Sequence, residues 1–492
     1  MLFASLFLAF LGCAAPTVPT PPPSAALDAA IDAVVRDEME ANHVPGAAVV
    51  VVRDGQTVFQ RGYGVADVET GRPVDPERTL FRIGSISKAL TGLALTRLVD
   101  DGRLDWSTPA SDYTDAIDDR SGSDSPVTLR HLLTHTAGFD QVGVGRQIGG
   151  FEMPLAERKS YRPDLGEWLE DGNLRRVRPP GRWFVYDTYG VSLAGLILGR
   201  ATGQSYAEAM RRELFEPLGM DDSFVEVEEA RFGDLAVGYG WADGAYQAQP
   251  YELYTTLPAS AIDATPADMG RLLEALTGGG ANAHGRLFSA EAAASVLAPQ
   301  FRPHPDFAGV THGFWEAPAT PDGAAWTVEH GGTMRGYTAL LAIYPEDRTA
   351  VFVVGNRDAE AGGGWVALGS RVSEVVREHL VDAAPRGPFR PPVERAIDFA
   401  PYEGTYAEGM YCRTCTDDEF ALGAWRRRGE EVVRGDGGRL HIGQEVYLPT
   451  ADDDVFVRED GGREVFFGRD GQGRVSFIVS SRGPRTLERI LD

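Results

Sequence analysis

Strand-forming runs stand at both ends of residues 26–382 and helix-forming ones fill the interval, so any sheet this chain builds must join segments far apart in sequence. Residues 26–42 carry helical periodicity. Pro45-Gly46 then opens the apolar run Ala47 to Val52, which reads as a buried strand, and Arg53-Asp54-Gly55 turns it into a second strand over Thr57–Tyr63. From about 105 to 300 the pattern is helix and loop, broken at Gly and Pro. Tyr337–Ile343 and Thr349–Val354 are apolar strands again, and a last helix is predicted over about 364–380. The prediction is an α/β (α+β) fold: one sheet with strands from both chain ends and a helical insertion beside it. Residues 383–396 are Pro/Gly-rich and read as a linker. Beyond them, over 397–492, short alternating segments are separated by turns at Gly435–Gly438, Glu459–Gly462 and Arg469–Gly473, which predicts a small all-β barrel or sandwich.

Lysine occurs only at Lys88 and Lys159; the other 45 of the 47 basic side chains are arginine. Lys88 follows Ser85 by three positions in Phe81-Arg82-Ile83-Gly84-Ser85-Ile86-Ser87-Lys88. A guanidinium cannot lose its proton in a protein, whereas an amine can be tuned to do so. A lysine kept here points to an amine that activates a serine. Residues 79–83 read as a short strand, Gly84 as a tight turn, and Leu90, Leu93, Leu95 and Leu98 as the apolar face of a helix ending near Asp101-Gly102. Ser85 then lies at a helix N-terminus with Lys88 one turn later on the same face. The positive end of the helix dipole disfavours a second cation and favours a developing oxyanion.

The net charge of −25 excludes a nucleic-acid surface, which needs a basic face, and the dispersed Asp and Glu do not form a metal site. Residues 1–13 form an apolar stretch too short to span a bilayer. Ending at Cys13, it resembles a bacterial lipoprotein signal, with residues 14–25 as a Pro-rich tether. This implies an exported protein of the periplasm or cell envelope, held to the membrane only through a lipid on Cys13. Cys412 and Cys415 form a lone Cys-x-x-Cys that cannot complete a four-ligand zinc site; in an oxidising envelope a local disulfide is expected.

Two further segments supply what a Ser-Lys pair lacks, proton traffic to the leaving group and donors for an oxyanion. Tyr186-Asp187-Thr188 precedes a helix, and His330-Gly331-Gly332-Thr333 lies on a strand, where glycines let substrate approach the backbone. In this order the motifs resemble the serine β-lactamase and penicillin-binding protein superfamily, in its class C β-lactamase, D-Ala-D-Ala carboxypeptidase and esterase branch. Ser85-x-x-Lys88 matches the first family motif, Tyr186-Asp187-Thr188 stands at Tyr-x-Asn, and His330-Gly331-Gly332 at Lys-Thr-Gly. The flanks Thr128 to Gly138, Phe215 to Met220 and Ala264 to Asp268 agree, so the likeness covers about residues 26–382.

The resemblance implies a β-lactamase-like antiparallel sheet flanked by helices, a helical subdomain and an appended β domain. It implies Ser85 as nucleophile, Lys88 and Tyr186 sharing the proton transfers, and the backbone N–H groups of Ser85 and Thr333 as the oxyanion hole. No cofactor and no metal are expected; the partner is a small-molecule or peptide acyl substrate. Thr188 replaces the family's Asn, with Asp187 as a candidate substitute. His330 replaces a permanent cation, which favours an esterase or D-amino-acid peptidase over a true β-lactamase. Arg335 is a candidate carboxylate anchor or a plain surface residue. The alternative is a catalytically weak penicillin- or peptide-binding protein of the same fold. A Ser-His-Asp hydrolase would need Gly-x-Ser-x-Gly, which Gly190-Val191-Ser192-Leu193-Ala194-Gly195 does not satisfy. A zinc peptidase would need a glutamate after His131 in His131-Leu132-Leu133-Thr134-His135; these two histidines are expected to be structural, on a helix feeding a turn.

Overall fold

The computed structural model describes residues 25–490 apart from 142–163, 173, 320–325, 359–363, 383–389, 418–425, 428 and 482. Cys13, Lys159, the tether as far as Ser24 and the first part of the linker lie outside the described residues.

Helix α1 (Ala25–Ala41) precedes β1 (Gly46–Arg53), which turns back as β2 (Gln56–Asp67) and continues to the short β3 (Arg72–Pro73). Strand β4 (Phe81–Arg82) and helix α2 (Ile86–Asp100) follow, then α3 (Leu129–Leu133), α4 (Thr188–Thr202) and β5 (Ser223–Val225). After α5 (Leu257–Ser260), β6 (Ile262–Ala264) and α6 (Pro266–Thr277), the chain returns to the sheet. There it forms β7 (Trp315–Pro318), β8 (Trp326–Met334), β9 (Tyr337–Tyr344) and β10 (Thr349–Gly355), and closes with α7 (Gly364–Leu380).

The main sheet has seven strands in the order β7-β8-β9-β10-β1-β2-β3, so the first of its strands in sequence pairs with the last, with Val50 opposite Phe352. Both faces are covered, which is why β1 and β10 are continuously apolar rather than alternating. Ala48, Val50, Val52, Phe352 and Val354 pack toward α2 and α6; Val49, Val51, Val351 and Val353 pack toward α1 and α7. Helix α1 meets its face with Leu27, Ile31, Val34 and Val35, spaced i, i+4, i+7, i+8.

The interval read as helix and loop also contains strands. Strands β4, β6 and β5 make a small sheet beside the main one, and residues 238–242 and 245–249 form a hairpin. Three-residue strands are too short to show a period. The hairpin turn Asp243-Gly244, both at positive φ, did carry a legible signal.

The C-terminal unit is a closed barrel of eight antiparallel strands from Gly404–Glu408 to Gly483–Arg489, which pair with each other to seal it. Closure removes both sheet edges. Tyr406, Leu440, Tyr447, Phe456 and Phe467 fill the interior. Arg390 and Val393, read as linker, are bonded to the barrel instead: Arg390 N donates to Glu464 Oε1 at 2.6 Å and Val393 N to Pro449 O at 2.9 Å.

Several contacts among the described residues fasten the barrel to the sheet-and-helix unit. Phe307 packs with Val455, Phe477 and Val479. Fully buried Arg178 donates to both carboxylate oxygens of Glu488, at 2.6 and 2.7 Å. Cys412 and Cys415 are joined in a disulfide whose turn encloses the buried Asp140 carboxylate.

Candidate active site

Two glycines let a strand press against the turn that carries Ser85. Gly84 adopts φ +55°, and a Cβ built there would stand 2.9 Å from Thr333 N. On the opposing strand, a Cβ on Gly332 would stand 2.0 Å from Ile83 O. Backbone therefore meets backbone, and the Thr333 amide is brought beside the turn of the serine. Ser85 holds the N-cap position of α2 but makes no side-chain capping bond, so its Oγ is not consumed in closing the helix.

Lys88 is buried one turn along. Its Nζ donates to Ser85 Oγ at 3.2 Å and to Ala259 O at 2.9 Å, and sits 4.9 Å from the centroid of the Tyr186 ring. Pro258 O accepts from Thr91 Oγ1 at 2.8 Å, and Ile262 N donates to Ser87 Oγ at 3.1 Å, so α2 fixes the segment that holds the lysine. Ala259 was not legible as a site residue, because a backbone carbonyl leaves no mark in sequence.

Tyr186 is bracketed by two bonds to His135: Val185 N donates to His135 O and Asp187 N to His135 Nδ1, both at 2.9 Å. Since Nδ1 accepts, the neutral ring carries its proton on Nε2. His330 is the reverse. Its Nδ1 lies 2.7 Å from Gly331 O, which can only accept, so Nδ1 is protonated and Nε2 holds the lone pair. Both Nε2 atoms are buried without a hydrogen-bond partner among the described residues. The rings lie 4.7 and 6.2 Å from that of Tyr186. Near the tyrosine, one imidazole thus carries a proton and the other a lone pair on its Nε2.

Burial, reinforced by the Lys88 ammonium, pushes His330 down to about 3 and His135 well below the usual histidine range, so both are neutral near pH 7. Burial pushes the Asp187 carboxyl up to about 6, against the N–H groups of Gly190 and Tyr189.

Asp187 does not stand in for the missing Asn. Its Oδ1 accepts from Tyr189 N at 2.9 Å and caps α4, while Thr188 is the buried first residue of that helix. Arg335 is half-exposed and leans toward Glu252 Oε1 at 3.5 Å. Gly331 and Gly332 lie on β8 beside His330 and Thr333. The structure thus gathers Ser85, Lys88, Tyr186, His330 and the Gly332-Thr333 backbone at one place, and sets Arg335 on a carboxylate. Of the two histidines expected to be structural, His131 does cap its own helix, accepting from Thr128 N at 3.1 Å, while His135 also borders the site. Its φ of +55°, rare for a non-glycine residue, marks the bend that aims it there. The Cys412–Cys415 disulfide lies in the barrel unit, on Asp140.

The beta-lactamase family model matches residues 31–366. Esterase EstB of Burkholderia gladioli is 34% identical over 230 residues, which cover 42% of this chain and 54% of the esterase; the chain thus spans about half the length of that relative. A beta-lactamase of Yersinia enterocolitica is 24% identical over 350 residues, 65% of this chain and 84% of that protein. Among solved structures, the octameric penicillin-binding protein homologue from Pyrococcus abyssi superposes with a TM-score of 0.58 at 21% identity, covering 94% of this chain and 99% of that one. A class C beta lactamase from Rhodobacter sphaeroides gives 0.56 at 22% identity, over 72% of this chain and 99% of its own. The Pyrococcus likeness covers too much of the chain to leave out the barrel, and both show the same fold.

Proposed function

The chain belongs to the beta-lactamase family, and on that footing we propose that it is a serine hydrolase working through an acyl-enzyme on Ser85. Lys88 Nζ takes the Ser85 proton as Oγ attacks the substrate carbonyl. The oxyanion settles on the amides of Ser85 and Thr333. Tyr186, beside Lys88 Nζ, passes the proton to the leaving group as the carbonyl–heteroatom bond breaks. Water then enters by the reverse relay: it yields a proton to the same pair, adds to the acyl carbon, and the proton returns to Ser85 Oγ as the acid leaves.

The observation that carries the choice of substrate class is the state of His330. It is buried, neutral and bonded through Nδ1 to its own strand, and Arg335 is directed to Glu252. A pocket without a free cation at these positions suits an ester, amide or peptide acyl donor better than one whose binding rests on a carboxylate anchor. We therefore place esters and D-amino-acid peptides ahead of β-lactams.

Intact-mass spectrometry of the protein mixed with an activated p-nitrophenyl ester, and separately with a penicillin, tests this. A Ser85-dependent acyl adduct or turnover with the ester, absent in Ser85→Ala, supports the reading. Equal turnover by Ser85→Ala overturns it. Binding retained by Ser85→Ala, in a wild type that turns over no acyl substrate, identifies a binding protein instead.

A further inference from the structure

The barrel reaches the candidate site through a continuous set of bonds. The Asp140 carboxylate is fully buried, and among the described residues its donors, apart from the neighbouring Gln141 N, come from the disulfide-closed turn of the barrel. Arg413 N donates to Oδ1 at 2.8 Å; Thr414 N and Thr414 Oγ1 donate to Oδ2 at 2.9 and 2.8 Å; Gln141 N adds a longer bond at 3.2 Å. From Asp140 the contacts run toward the segment that carries Tyr186. Asp140 N donates to Arg175 O at 2.8 Å, and Val177 N to Gly138 O at 3.0 Å. A Cβ on Gly138 would stand 2.3 Å from Arg178 O, so segments 138–141 and 175–178 lie backbone to backbone. Gln141 Nε2 reaches Asp187 Oδ1 at 3.5 Å, and five residues before Asp140, His135 holds the N–H groups on both sides of Tyr186. The barrel grips the second segment as well, through Arg178, Glu488 and Gly409 O.

We propose that Asp140 is a positioning residue, and that the Cys412–Cys415 turn clamps it so that Tyr186 is held in register with Lys88. The barrel is on this account a working part of the hydrolase site, and the site is sensitive to thiol–disulfide state. Reduction by a dithiol transfers two electrons and two protons to the Cys412–Cys415 bond. The sulfurs become two thiols, and the dithiol is oxidised to its own cyclic disulfide. Cys415 is half-buried and so within reach of a small reductant. Once the turn opens, the amides of Arg413 and Thr414 lose the geometry that presents them to Asp140. The inference rests on the acyl-transfer reading for its kinetic readout alone.

The test uses the full chain before and after treatment with dithiothreitol, with Cys412→Ser/Cys415→Ser as a reductant-insensitive control and Asp140→Asn as an independent break. Hydrogen–deuterium exchange across 135–141 and 181–187 is followed together with kcat and KM for the ester. Reduction is expected to speed exchange at the Val185 and Asp187 amides. It is also expected to lower kcat by roughly 10- to 100-fold, because small misplacements of a catalytic group cost that much. KM should shift by less than about threefold, as befits loss of an interaction made in the transition state. The double variant should begin at the reduced level and not respond further. Unchanged exchange at those amides on reduction overturns the proposal, as does a further fall of the double variant with reductant. Should Asp140→Asn fail to fold, Thr414→Val removes one donor and is expected to give a smaller change of the same kind. If exchange speeds up in a protein that no ester acylates, the clamp stands and the hydrolase reading falls; if the ester is hydrolysed at full kcat after reduction, the clamp falls alone.

Discussion

Ser85 Oγ lies 3.2 Å from Lys88 Nζ, and the lysine is held from the far side by the carbonyl of Ala259 at 2.9 Å. A chain with 45 arginines and two lysines keeps one of its amines where it touches a hydroxyl set at a helix start.

Lys88→Ala is expected to slow acylation by about 10²- to 10⁴-fold, the usual worth of general-base help. Lys88→Arg should not restore it, because a guanidinium keeps its proton. Stopped-flow acylation with an activated ester checks both. Recovery by arginine would show that only a positive charge is needed.

Gly332→Ala places a Cβ 2.0 Å from Ile83 O, a backbone atom that cannot swing aside. The strand must retreat from the serine turn and take the Thr333 amide with it. Loss of one oxyanion donor costs about 3 kcal/mol, or roughly 10²- to 10³-fold in kcat. Steady-state kinetics with a thermal melt separate this from simple unfolding.

The buried imidazoles should make stability depend on pH with a definite sign. An unfolded histidine binds a proton near 6.5, whereas folded His330 does so at about 3. The stability it confers is therefore complete above pH 6.5 and lost as pH falls toward 3, at up to about 1.4 kcal/mol per pH unit. Asp187 runs the other way. Its carboxyl, raised from 3.8 to about 6, contributes stability below pH 4 that is lost as pH rises through 6. Urea unfolding between pH 4.5 and 7.5 should show a shallower acid slope in His330→Gln and a steeper one in Asp187→Asn.

Arg178→Ala leaves Glu488 buried with Trp183 Nε1 and Arg413 as its remaining donors. Breaking one side of a buried pair costs about 3–5 kcal/mol. Differential scanning calorimetry should show a lowered Tm, with Arg178→Met/Glu488→Leu recovering part of it.

Much of this was legible in the residues. The valine run Val49 to Val52, the strands at 337–343 and 349–354 and the helix at 364–380 announced a sheet assembled from both chain ends, and turns such as Gly435–Gly438 announced the β module. The Ser85–Lys88 spacing was legible because a helix fixes it. What could not be read depends on tertiary approach. Ala259 acts through a carbonyl, and His135 acquires its place from a bend after α3. Asp187 looked free to replace an asparagine until the helix it caps was seen to claim it. Arg335 was undecided until Glu252, 83 residues away, was found beside it.

The pairing of β1 with β10 also sets an order of events. Ser85, Lys88 and Tyr186 have all been made long before the strand that brings Thr333, and that strand belongs to a sheet that joins β7 to β10 with β1 to β3 from the start of the chain. Such distant pairing is slow to form. A growing or truncated chain ending before residue 326 would carry Ser85 and Lys88 without the Thr333 amide. On the proposed acyl-enzyme reading, the chemistry is expected to wait until synthesis has passed the last sheet strand, which activity assays on stalled or truncated chains would check.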